Sequence, residues 1–173
     1  MHHIFHSPLV PHGPPALSSP GGTRFPPEGG IVAEDALWPL LTVRFGPELS
    51  GETFDAYLDW RTEWLQRREP HVSIIDARAV PIRVAPYRQR YIDWLREHDR
   101  ALREWMIGSA YVLNSPEGHM LTSLIRHGAS LHTPFVVTRT LPDAAGWAAG
   151  QFQERGLGEA ARRIRAHFAC PTS

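Results

Sequence analysis

Four short apolar segments punctuate this chain, and each is separated from the next by a stretch with helical periodicity. No other feature restricts the fold as much. Leu41, Val43 and Phe45 alternate with Thr42 and Arg44, a period of two that gives a strand one apolar face. Pro39 cannot donate to a ladder, so this strand starts there or lies at an edge, with Ile31-Val32-Ala33 as a candidate partner before it. His71–Asp76 reads as a buried strand ending in a carboxylate, Met106–Leu113 as a third strand and Thr133–Thr138 as a fourth.

The intervening stretches carry helix signals. Ser50 is an N-cap, with Leu49 and Phe54 spaced as a hydrophobic staple, for a helix running to Glu69 and closed by Pro70. Pro86 stands at the first position of a helix running to Trp105. Ser115-Pro116 opens a helix to His127 with Gly128 as its stop, and Thr140 with Asp143 caps Leu141–Arg155. Glu159–Phe168 is a last short helix. Strand–helix alternation of this kind builds an α/β domain: a mostly parallel sheet of four to five strands flanked by four to five helices. The boundaries predicted are a Pro/Gly-rich mobile extension over residues 1–30, the α/β domain over 31–157, and a short helix and tail over 158–173.

Composition narrows the function. The formal net charge is +0, so whole-molecule attraction to nucleic acid is not expected, and no apolar run reaches membrane-spanning length. One cysteine, Cys170, closes no internal disulfide, and the N-terminus lacks the basic start of a signal peptide, so a cytoplasmic address is the expectation. Every basic side chain but histidine is arginine, which excludes a Schiff-base lysine and a phosphate-gripping Walker lysine. No G-x-G-x-x-G follows a strand, His119, His127 and His132 lack the i, i+4 spacing of a helical zinc site, and His2, His3, His6 and His12 have no Cys or acid beside them. No cofactor and no metal are expected. Arg162, Arg163 and Arg165 make a small basic patch that reads as a solvated helix face. Ser115 follows a strand, but Leu113-Asn114-Ser115-Pro116-Glu117-Gly118 is not the G-x-S-x-G of a nucleophile elbow, so capping explains it.

Two polar residues fall where apolar ones belong. On a helical wheel Arg61 lies amid Phe54, Tyr57, Leu58, Trp64 and Leu65, and His98 lies near the centre of the Tyr87, Tyr91, Trp94, Leu95, Leu102 and Trp105 face. A charge in an apolar stripe must pair, snorkel or neutralise. The plain reading is that Arg61 snorkels or pairs internally, with Asp76 as the candidate, and that His98 is a neutral, hydrogen-bonded core residue. The functional reading is that Arg61 and His98 hold an anionic or lipid-like ligand. Asp76 with His98, or Ser115 with His119, would supply a small hydrolase only if folding brought them together.

Val43-Arg44-Phe45-Gly46 with its following helix, Ser73 to Arg78, Met106-Ile107-Gly108-Ser109-Ala110-Tyr111-Val112-Leu113, Phe135 to Thr138 and Ala144 to Trp147 together resemble the STAS-like group. That group includes anti-sigma-factor antagonists and their SpoIIAA-like relatives, and the likeness spans residues 31–156. It implies a non-enzymatic regulatory module that docks on a protein partner, sometimes with a small ligand. Antagonist members carry a phosphorylatable Ser or Thr at the start of the helix after the second strand; Asp76 to Pro86 holds none here, so the chain resembles the SpoIIAA-like subgroup. The expected contact surface is the first two helices and the loop Ala77 to Pro86, with Arg83 and Arg88 as its charges.

Overall fold

The computed structural model describes residues 30–80, 85–130 and 132–169. The residues of the expected extension before Gly30, with their four histidines, lie outside the described residues, as do Arg83 and Cys170. Five strands form one sheet in the order β1 (Ile31–Glu34), β2 (Leu40–Phe45), β3 (His71–Asp76), β4 (Met106–Val112), β5 (Phe135–Thr138). β1 runs antiparallel to β2, and all later neighbours pair in parallel. Six helices accompany it among the described residues: α1 (Gly51–Gln66), α2 (Ala85–Glu97), α3 (Asp99–Trp105), α4 (Pro116–Ala129), α5 (Leu141–Glu154) and α6 (Gly158–Phe168). The architecture is α/β with a mostly parallel sheet, and the short partner strand before β2 is present.

Because the parallel strands add in one direction, crossovers of one hand must all lie on one face. Accordingly α1 to α4 pack with Leu41, Val43, Phe45, Ile75 and Tyr111 on one side. The chain then turns under the sheet, and α5 and α6 pack with Leu40, Val72, Ile74, Ile107, Ala110 and Val112 on the other. β3 is buried at every position, as a strand covered on both faces must be. Small residues bring α5 close: Ala144, Ala145, Ala148 and Ala149 are all fully buried. Its Trp147 ring lies so near β4 that a Cβ on Gly108 would sit 2.7 Å from it, so that position admits only glycine without rearrangement.

Three element boundaries differ from expectation. α1 stops at Gln66 rather than Glu69, because Arg68 takes a left-handed φ of 57° and turns the chain before Pro70 can act. The single helix expected up to Trp105 is two, α2 and α3, divided at His98. α4 continues past Gly128, which packs on Ile92, and stops at Ser130, whose φ of 52° does the work assigned to the glycine. The predicted caps are in place: Ser50, Ser115 and Thr140 accept from the backbone N–H of Thr53, Gly118 and Asp143.

Candidate functional site

α1 lays its apolar stripe on the sheet, and Arg61 goes down with it. The side chain is 1% exposed, so it does not snorkel. Nor does it pair with Asp76. One terminal nitrogen donates to the Tyr57 hydroxyl at 2.9 Å, and the guanidinium carbon lies 5.2 Å from the Trp94 ring centre and 5.9 Å from that of Tyr57. Its Nε–H has no hydrogen-bond partner, and no carboxylate pairs with it among the described residues. Burial pushes the Tyr57 hydroxyl well above its ordinary range, against the opposing pull of Arg61, so the cation faces a neutral phenol. Burial works against the charge of Arg61 itself, but the hydroxyls of Tyr57 and Tyr91 favour it and the balance is upward. Arg61 is a fully buried cation without a paired carboxylate among the described residues.

The sheet beneath it adds two more polar groups. Within β3, His71 and Ser73 alternate onto one face, the face of Leu41, since Leu41 and Ser73 are register partners. Both are fully buried. His71 Nδ1 meets the Glu69 carbonyl at 3.0 Å and must donate to it, which leaves Nε2 as a bare acceptor. Burial lowers the His71 pKa to about 4, with the Arg61 charge adding to the fall, so the ring is neutral at pH 7 and lies within reach of the guanidinium's field. Neither Nε2 nor the Ser73 hydroxyl has a partner among the described residues. Native interiors leave few polar groups so. Two donors, Arg61 Nε–H on α1 and Ser73 Oγ–H on β3, and one acceptor, His71 Nε2 on β3, are left without partners among the described residues, on the side of the sheet that α1 packs against.

A second buried cation shares that side of the sheet. Arg126 on α4 donates to the Thr133 carbonyl at 2.8 Å and lies 3.6 Å from the Phe135 ring centre. Burial raises the Tyr111 hydroxyl to about 12, with Tyr91 adding to it and Arg126 opposing.

The other expected residues are elsewhere. Asp76 ends β3 opposite His71 and is gripped by Arg78, whose Nε and terminal nitrogen donate at 2.9 and 2.8 Å, with Arg44 at 3.7 Å. Its carboxylate is therefore a structural clasp for the turn after β3. His98 is half-buried at the α2–α3 junction, stacked on Trp94, with Nδ1 on the Trp94 carbonyl at 2.9 Å and Nε2 3.4 Å from the Thr62 hydroxyl. It is hydrogen-bonded as the plain reading expects, but it is half-buried at a helix junction rather than a core residue. Asp76 and His98 share no contact, and Ser115 is held by its cap beside an exposed His119. Arg88 is half-buried near the start of α2. No group of three metal-ligating side chains occurs among the described residues, and none of their helices is long and apolar enough to cross a membrane.

His71 and Ser73 are the functional candidates that the sequence reading passed over. Their signal was present: two polar residues at alternate positions of a six-residue strand that is apolar elsewhere up to its terminal Asp76. Comparison with known proteins adds no assignment: no family model matches the chain, and neither the curated proteins nor the solved structures give a match.

Proposed function

We propose that this chain is a non-enzymatic binding module that holds a small anion between α1 and the sheet, on an α/β frame of STAS-like type. The observation that carries the reading is the buried Arg61, whose charge has no carboxylate partner and whose Nε–H has no acceptor among the described residues. An isolated cation in an interior costs several kcal/mol, so a fold that keeps one gains most when an anion arrives. Arginine suits this use, since it never deprotonates and presents a fixed fork to an oxyanion. To test the reading, protein is purified from its own cells, denatured, and the acids it releases are quantified by mass spectrometry. One equivalent of an anion from the wild type and a trace from folded Arg61→Met is the expected result; no acid above background from the wild type contradicts it.

Docking on a protein partner is the second reading, and the observation favouring it lies apart from the expected surface. Met120 and Leu124 on α4 and Phe135 on the edge strand β5 are 62%, 44% and 49% exposed. Pull-down with Met120→Glu/Leu124→Glu, beside charge reversal at Arg83 and Arg88, separates the two surfaces: loss of partners in only the first places docking at the α4–β5 edge.

A further inference from the structure

The unpartnered groups under α1 also constrain what kind of anion fits, an inference that rests on the anion-binding reading above. A bare anion such as a halide, or a carboxylate with nothing but alkyl behind it, accepts hydrogen bonds only. It would satisfy Arg61 Nε–H and Ser73 Oγ–H, both donors. It would not satisfy His71 Nε2. That nitrogen is an acceptor, because the Nδ1 proton is committed to the Glu69 carbonyl 3.0 Å away. An anion's lone pair facing it would be repelled. The two β3 side chains also sit two residues apart on one strand face, roughly 6.5–7 Å between backbone positions, so a ligand reaching both presents different atoms to each.

We propose that the site takes a small oxyanion carrying its own hydrogen-bond donor next to the charge, the chemistry shared by a short hydroxy acid and by a protonated phosphate. The anionic oxygens accept from Arg61 and Ser73, and the ligand's hydroxyl donates to His71 Nε2. Neutral His71 is then a selectivity element: it reads a proton on the ligand. Each of the three side chains gains the kind of partner it lacks, a donor at His71 and acceptors at Arg61 and Ser73. Arg61 supplies affinity for any anion, while His71 separates those with a donor from those without.

The probes are glycolate and inorganic phosphate, which carry a donor, against acetate and methoxyacetate, which carry the charge alone. The full chain is unfolded in urea, freed of small molecules and refolded, and its urea midpoint at pH 7 is measured against concentration of each probe. A ligand that binds only the native state raises the midpoint logarithmically with concentration, whatever its route of entry. The expected result is apparent binding at least tenfold tighter for glycolate or phosphate than for acetate and methoxyacetate, with all binding lost in Arg61→Met and about tenfold weakened in Ser73→Ala. In His71→Phe the gap between glycolate and methoxyacetate closes. If that variant fails to fold, the wild-type His71 Nε2 nitrogen shift on adding glycolate serves instead, moving as a newly hydrogen-bonded acceptor does. Equal Arg61-dependent binding of all four probes overturns this inference and leaves the anion-binding reading standing. No Arg61-dependent shift with any probe overturns both.

Discussion

Replacing Arg61 with methionine tests whether its charge is a burden in the ligand-free protein. Methionine is unbranched and adaptable, so it fills the aliphatic path of the arginine stem between Tyr57 and Trp94 without forcing the packing. Holding the cation in this interior costs several kcal/mol. Two contacts offset part of that: the Trp94 face, about 2 kcal/mol for a desolvated cation, and the hydrogen bond to Tyr57, about 1 kcal/mol net. The balance predicts that ligand-free Arg61→Met is more stable than wild type by about 1–3 kcal/mol, the range seen when buried ions give way to packed apolar groups. Urea unfolding of both proteins, with equal slopes required, reads the difference. In saturating glycolate the sign reverses, because only the wild type gains from binding. A loss above about 2 kcal/mol in the ligand-free variant would refute the reasoning, since it would mean that Arg61 is already satisfied by the fold.

Three further outcomes are expected. His71 has a folded pKa near 4 against about 6.5 unfolded, so the unfolded chain binds its proton first, and stability complete above pH 6.5 falls as pH drops toward 4. At pH 4.5 the loss through this one group is about 2.5 kcal/mol, measured as the pH-dependent difference between wild type and His71→Gln in urea unfolding. Gly108→Ala pushes a methyl to 2.7 Å from Trp147 and should cost about 1–3 kcal/mol, seen as a lower melting temperature, whereas no change would mean α5 is free to shift. Asp76→Ala releases Arg78 and Arg44, which are open enough to re-solvate, so the cost is about 1–2 kcal/mol; glycolate binding persists because Asp76 is at the opposite end of β3 from His71. Loss of glycolate binding in that variant would move the site to the other end of the sheet.

The fold was largely legible because its signals are local. Caps at Ser50, Ser115 and Thr140, and period-two apolar alternation in β2, depend on neighbours a few residues away. What was not legible depends on long-range placement. The chain breaks between α2 and α3 at His98, and a helical wheel that assumes one continuous helix puts His98 in the core instead of at a half-buried junction. Arg61 could be seen to lie in an apolar stripe, but whether Asp76 would pair with it depended on how α1 sits against β3, and Arg78, two residues along from Asp76, claims that carboxylate instead. His71 and Ser73 escaped notice because a strand buried on both faces has no polar side against which an inward polar residue stands out.

Diffraction from crystals of the refolded chain grown in glycolate tests the central claim most directly. The account predicts a carboxylate about 3 Å from Arg61 Nε and Ser73 Oγ, with the glycolate hydroxyl at the same distance from His71 Nε2. Only ordered water at those three atoms, or side chains closed over them with the acid elsewhere, would contradict it.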